Sequence, residues 1–219
     1  MGRPAGSRNR DYEQTRRDLA LRLSQHLVRD GGEPATLADL AQAAGVSATT
    51  LKHYFGDRNG IFTAVMESVR ADGAIYLEQA RRPAGRSPER SVTDLLLGTI
   101  EAWRRYGLGR LFASSLALSL GNGDRGPAFL SGLLEPLLDG TEQLIGAHVA
   151  DGRLPVCSER AVALSLVSPV VMALLHQDNL GGAGTRPLDV EEFASTHAHL
   201  ILGGLTGTPR AVPSSGGDD

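Results

Sequence analysis

The residue types suited to chemistry gather in one stretch, Thr36 to Arg58. Thr36 stands three residues ahead of Asp39, the spacing of a helix N-cap with an acidic partner, a weak form of the capping box. Ser47 is a second capping residue, and Asp57 a third. Between the last two lies Ala48-Thr49-Thr50-Leu51-Lys52-His53-Tyr54-Phe55. Leu51 and Phe55, four residues apart, predict a buried back face. Ala48, Thr49, Thr50, Lys52, His53 and Tyr54 are then candidates for exposure. Small residues at the start of such a helix allow close approach to base edges, and threonine hydroxyls and methyls can read them. Lys52, His53 and Tyr54 can donate to phosphates and fix the register. Lys52 is the only lysine in the chain; every other cationic side chain is arginine.

Other clusters offer less. His197-Ala198-His199 suggests a metal pair, but on a helix residues i and i+2 point about 200° apart and cannot share an ion unaided. Gly181-Gly182-Ala183-Gly184 lacks the spacing and the preceding strand of a phosphate-binding loop, and reads as a flexible joint. No nucleophile elbow, Cys/His pairing or paired carboxylates stand in a distinctive context. The expectation is therefore a protein that is not an enzyme, with no cofactor and no metal site.

The elements that must position Thr36–Arg58 are helical. An arm, residues 1–10, holds Arg3, Arg8 and Arg10 with no acid. A helix is predicted from about Asp11 to Arg29, with Leu19, Leu23 and Leu27 on one stripe. Gly31, Gly32 and Pro34 stop it. A short helix follows Thr36 and ends at Gly45, where a left-handed residue would close it. Ala44-Gly45-Val46-Ser47 is a tight corner, and the helix after Ser47 completes a helix-turn-helix, one helix bracing and the next in the major groove. A fourth helix starts after Asp57, with Ile61, Val65 and Val69 at four-residue spacing. Arg81 to Pro88 is a connector, placing a boundary near residue 80. Further helices are predicted at about 91–106, 108–120, 127–150, 158–177 and 190–205. The expected organisation is an arm over 1–10, a helix-turn-helix DNA-binding domain over 11–80, a second helical domain over 81–205 and a disordered tail over 206–219.

The chain has 219 residues, 41% of them apolar and 5% aromatic, which suits an all-α fold packed with Ala and Leu. Net charge is −3, unevenly spread: residues 1–70 carry 10 basic and 8 acidic side chains, residues 71–219 carry 12 and 17. A slightly acidic body with a basic tip would meet DNA only at that end. One cysteine, Cys157, excludes an intrachain disulfide and fits a reducing cytoplasm. No signal peptide is read at the N-terminus. The apolar run Ala161–Leu175 is short for a span of ~20 residues, so no membrane partner is expected.

Ala41-Gln42-Ala43-Ala44-Gly45-Val46-Ser47, then Thr50-Leu51-Lys52-His53-Tyr54-Phe55-Gly56-Asp57-Arg58, resembles the signature of the tetracycline-repressor (TetR) family, opened by Asp39-Leu40-Ala41 and closed by Ile61-Phe62. The likeness is specific over about residues 15–70. It implies an N-terminal three-helix helix-turn-helix domain joined to a larger C-terminal helical domain for ligand binding and dimerisation. It implies helix-capping phosphate contacts at Thr36 and Ser47, base-facing positions at Ala48, Thr49 and Thr50, and backbone contacts at His53 and Tyr54. Arg58 stands where the family usually has a phosphate-binding lysine at the start of the fourth helix. Lys52 replaces the usual tyrosine, which would make that phosphate contact a charged, more salt-dependent one. Ala38 sits where a longer polar base-reader is often found, and His26 where the first helix has an apolar residue. Gly2-Arg3-Pro4 is similar to arms that put Arg3 into a narrow minor groove.

The family likeness further implies a homodimer through helices 158–177 and 190–205, a double-stranded operator and a small-molecule effector. A pocket is expected among Trp103, Tyr106, Phe112, Leu116, Phe129, Leu133, His148 and His176, since such sites are apolar with a few polar groups. The functional expectation is a cytoplasmic, sequence-specific repressor released from a palindromic operator by its ligand. The other reading is a helical small-molecule-binding protein or enzyme that retains a helix-turn-helix relic.

Overall fold

The computed structural model describes the backbone of residues 7–30, 36–121 and 123–207, and side chains from residue 11 onward except 27–30 and 80 within those ranges. Arg3, the rest of Gly2-Arg3-Pro4, the Gly31–Pro34 stop and the tail from residue 208 lie outside the described residues, as does the side chain of Leu27. Every regular element among the described residues is helical.

Helix α1, Ser7–Asp30, begins four residues before the expected Asp11. It buries Leu19, Ala20 and Leu23 against α2, Leu37–Ala44, and α4, Arg58–Ala80. Helix α3, Ala48–Phe55, adds Leu51 and Phe55 to the same small core. The first half of α4 is buried through Ile61, Phe62, Ala64, Val65 and Met66. Its second half carries exposed Ile75 and Tyr76.

Helix α5 spans Pro88–Arg105, with Ser87 accepting from the Arg90 N–H at its N-cap and Pro88 in the first turn, where a missing N–H is harmless. Helix α6 spans Leu108–Gly121. A single 3-10 turn, Gly123–Arg125, leads into α7, Gly126–Phe129. The chain then runs through a π-helical turn, Leu130–Leu134, into α8, Glu135–Ala150. Helix α9, Glu159–Leu174, likewise continues into a π turn, Leu175–Asn179. A single-turn α10, Gly182–Thr185, precedes α11, Val190–Thr206. Helix α8 packs on α9, and α11 packs on α5 and α9, around Leu96, Ile100, Leu138, Leu144, Leu166 and Leu174. Arg160 on α9 ties itself to α8 by paired bonds to Glu135, 2.8 and 2.9 Å, and by a 2.7 Å bond to Glu142.

Two sequence readings change. The apolar stretch read as Ala161–Leu175 belongs to a 21-residue helical run, Glu159–Asn179, long and apolar enough to cross a membrane, with half of it buried inside this fold. The glycines at 181–184 are not a loose joint. Gly182 is buried in α10, so close to the His176 ring and carbonyl that a Cβ would overlap both.

The two halves meet at a second close approach. A Cβ on Gly132, in the π turn, would lie 2.6 Å from the Met66 Cβ and 2.9 Å from the Met66 carbonyl oxygen. Gly132→Ala therefore forces α4 away from the segment leading into α8, and overpacking of this kind costs about 1–3 kcal/mol. Urea unfolding should show a loss in that range.

His148 is buried, with its Nε2 2.6 Å from the Ser91 Oγ. Desolvation, reinforced by Arg153 and opposed by Asp151, lowers its pKa below the ordinary histidine value. The unfolded chain therefore takes up this proton first as pH falls. The contribution is complete above about pH 6.5 and is lost as pH drops from there toward the lowered folded value. His148→Gln should lose less thermal stability than the parent between pH 7.5 and 5.5; parallel losses would contradict the assignment.

Candidate nucleic-acid interface

The Thr36–Arg58 segment is built from local hydrogen bonds. Thr36 and Asp39 form a full reciprocal capping box, stronger than the sequence suggested: the Asp39 N–H donates to Thr36 Oγ1 at 3.2 Å, and the Thr36 N–H donates to Asp39 Oδ2 at 2.8 Å. The Thr36 hydroxyl also donates to Asp39 Oδ2 at 2.7 Å. These bonds from Thr36 lower the Asp39 pKa, so the carboxylate stays ionised. They also engage the Thr36 hydroxyl in the cap.

Helix α2 closes at Gly45, where φ of +70° is left-handed and glycine carries no penalty. The Gly45 and Val46 N–H groups donate back to Gln42 and Ala41. Arg22 on α1 donates to the Ala44 carbonyl at 3.1 Å, satisfying another group at the same helix end. Ser47 then caps α3 by accepting from the Thr50 N–H at 3.1 Å. Asp57 caps α4 by accepting from the Gly60 N–H at 2.9 Å. A Cβ on Gly60 would overlap the Phe55 carbonyl, so this glycine permits the α3–α4 turn.

These constraints decide which face of α3 is presented. With Leu51 and Phe55 buried, Thr49, Lys52 and His53 stand exposed together, at the i, i+3 and i+4 spacing of one helix face. Three residues expected beside them are placed differently. Ala48 is half-buried and packs against the core. Thr50 is half-buried, its hydroxyl 2.9 Å from the Ser47 Oγ. Tyr54 is half-buried, stacked on Tyr12 of α1 with ring centroids 4.7 Å apart. The Tyr12 hydroxyl reaches the His53 and Tyr54 carbonyls at 3.3 and 3.4 Å, so α1 clamps the C-terminal end of α3. Nothing local in the sequence marks Tyr12 for that role. His26 is half-buried, and Ala38 is exposed on α2.

Arg58 opens α4, where the helix dipole favours an anion. Arg125, from the turn before α7, arrives beside it: its Nε donates to Asn59 Oδ1 at 2.8 Å, and its guanidinium lies 5.7 Å from the Phe62 ring centroid. Burial, and then repulsion from Arg58, lower the Arg125 pKa. Arg58 and Arg125 thus bring positive charge to the start of α4, the second supplied by the C-terminal half.

That half also holds a cavity of about 1040 Å³ between α4, α5, α6 and the stretch 132–137. Trp103, Tyr106, Phe112 and Leu133 line it as expected from their segments, joined by Tyr76, Leu77 and Arg70 of α4, which the sequence reading had assigned to the DNA-binding half. The remaining four lie off it. Leu116 packs against the core, and Phe129 sits edge-on behind Phe112 at 5.1 Å. His148 is buried with Ser91, and His176 is exposed beside Gln177 at 2.8 Å. His197 and His199 part to different neighbours, the Ser165 carbonyl at 2.7 Å and Glu89 at 3.0 Å.

Residues 25–65 match the family model described as bacterial regulatory proteins, tetR family. Over 90 residues the chain is 28% identical to the HTH-type transcriptional regulator BetI of Stenotrophomonas maltophilia, covering 41% of this chain and 46% of that one. Over 73 residues it is 33% identical to BetI of Paraburkholderia phytofirmans, covering 33% and 37%. The chain therefore spans less than half the length of these curated relatives. Solved structures match over most of the chain. FadR of Thermus thermophilus, a TetR-family transcriptional repressor in complex with lauroyl-CoA, gives a TM-score of 0.64 at 23% identity, covering 92% of this chain and 100% of that one. A TetR transcriptional regulator from Agrobacterium tumefaciens gives 0.62 at 20% identity, covering 86% and 93%. At these identities the likeness is one of fold.

The capping box yields a direct test. Thr36→Ala should cost roughly 0.5–2 kcal/mol in chemical unfolding, and Thr36→Ser should recover most of it. A neutral alanine variant would mean that the box contributes nothing to the head's stability.

Proposed function

We propose that this chain, whose residues 25–65 match the tetR family model, is a dimeric, sequence-specific repressor of that family acting on chromosomal DNA in the cytoplasm. The observation that carries the reading is the exposed face Thr49-Lys52-His53 on a helix capped at Ser47 and clamped from behind by Tyr12. In this reading Thr49 meets base edges, while Lys52, His53 and Arg58 hold phosphates. Thr36, Ser47 and Thr50 set the helix ends, Ala48 the close approach, and Tyr54 the tilt of α3.

Dimerisation would use α9 and α11. Their outer faces carry apolar and small residues, with Met172 61% exposed, Leu200 64% exposed, and Leu164, Gly203 and Gly204 beside them. A second copy packed there buries these side chains and sets two α3 helices about 34–36 Å apart, one DNA turn, for a palindromic operator. A small molecule in the cavity would contact α4 directly and favour a state with the wrong spacing. A coupling of about 1–3 kcal/mol suffices for a several-fold to hundredfold change in occupancy.

Fluorescence anisotropy with the DNA upstream of the chain's own gene tests the reading. Binding should be sequence-specific and weaken steeply with salt; no specific binding would overturn it. Lys52→Ala should weaken binding to all sequences and lower the salt slope by about one unit. Leu200→Asp should shift sedimentation toward monomer and weaken operator binding through lost bivalency. An unchanged dimer would place the interface elsewhere.

A further inference from the structure

We infer that the cavity takes an uncharged, largely apolar molecule with one hydrogen-bonding end, held at the mouth by Tyr76 and Tyr106. The inference rests on the ligand-responsive reading above and adds the ligand's chemistry. The volume, about 1040 Å³, is at the upper end of the roughly 300–1,000 Å³ typical of small-molecule sites. Its buried wall is apolar and aromatic, including Leu95, Leu111, Phe112, Trp103 and Val171. All five ionisable Arg, Asp and Glu side chains on the lining are exposed or half-buried at the rim.

Most of the rim charges are paired. The lining holds two guanidiniums, Arg70 and Arg105, against three carboxylates, Asp72, Asp94 and Glu101. Arg105 pairs with Glu101 at 3.2 Å, and Asp94 is held by Arg86 at 3.0 Å and Arg90 at 3.1 Å. Arg70 and Asp72, two residues apart on α4, carry opposite single charges. An ionised carboxylate drawn inside would leave water for a wall with no counter-charge, which is costly. A nucleotide head with several phosphates needs clustered cations, and this lining has none in excess. A CoA thioester, as bound by the Thermus FadR, is therefore the wrong chemistry for this cavity.

What the mouth does offer is a neutral hydrogen-bonding pair. The Tyr76 and Tyr106 hydroxyls lie 3.3 Å apart, joining α4 to the end of α5, with ring centroids 6.1 Å apart. The rings are 61% and 47% exposed, so the pair can open without disturbing the core. Each hydroxyl both donates and accepts. A ligand hydroxyl or carbonyl inserted between them replaces a bond from α4 to α5 with bonds to itself. Binding is thereby felt on α4, the helix that also carries Arg58.

Trp103 is the only tryptophan in the chain and lines the cavity, so its emission reports occupancy in the intact protein. The probes are N-phenyl-1-naphthylamine, which is uncharged, and 8-anilino-1-naphthalenesulfonate, the same skeleton with an anionic group. The first should quench Trp103 by energy transfer at a single site per chain, and bind at least about tenfold tighter than the second. 1-Decanol should displace it at lower concentration than decanoate, decyltrimethylammonium or lauroyl-CoA. Tyr76→Phe and Tyr106→Phe should weaken decanol several-fold and leave displacement by decane unchanged. Preference for decanoate, for the ammonium or for lauroyl-CoA would overturn the inference, as would an absence of Trp103 quenching. Operator binding measured on the same preparation separates the outcomes: intact specific DNA binding with failed probe selectivity refutes only the ligand chemistry.

Discussion

The close contact between Gly132 and Met66 is the constraint on which the rest of the structure turns. It brings the backbone of the π turn against the backbone of α4 at the point where α4 passes from the small N-terminal core to the larger C-terminal one. Any side chain at 132 would hold them apart. Because α4 is shared, it cannot move against one core without disturbing the other. Its N-terminus carries Arg58 beside α3, its middle carries Met66, and its C-terminal half carries Tyr76 on the cavity lining. Side chains within a packed interior switch between discrete arrangements more readily than they deform continuously. A helix held this tightly at its middle is suited to carry a change at one end to the other.

The head is stiffened by different means. Helices α2 and α3, eight residues each, are too short to be stable alone, and caps hold them and the start of α4: Thr36 with Asp39, the left-handed Gly45, Ser47 and Asp57. Tyr12 and Arg22 then tie α1 to the ends of α3 and α2. The outcome is a surface helix whose exposed Thr49, Lys52 and His53 make no side-chain hydrogen bond among the described residues, His53 resting edge-on against Tyr12. Arg125 adds a bond from the C-terminal half to Asn59, in the first turn of α4, and so gives a second tie between the two halves.

The parts of this arrangement that were legible in the sequence are those governed by near neighbours. Caps, the glycine turn and the Leu51/Phe55 periodicity involve residues three to five apart, and each had a local chemical signature. The helix order and the segments at 91–106, 127–150 and 190–205 followed from periodicity for the same reason. What stayed hidden depends on residues far apart along the chain: Tyr12 with His53, Arg125 with Asn59, Ser91 with His148. The π turns at 130–134 and 175–179 leave no mark in an apolar pattern. Leu116, Phe129 and His148 pack away from the cavity because burial and cavity-lining share one composition, and His176 is exposed. Tyr76 and Arg70 were missed because α4 had been assigned whole to the DNA-binding half.

Coupling between the two halves rests on α4 as the shared element. Hydrogen exchange of its amides, residues 58–80, measured by mass spectrometry on the intact protein, tests this directly. Operator DNA and a cavity-filling uncharged probe should each alter protection along α4, including around Met66, although they bind at opposite ends of it. If DNA alters only residues near 36–58 and the probe only residues near 95–137, leaving the middle of α4 unchanged, the two sites are not coupled through this helix.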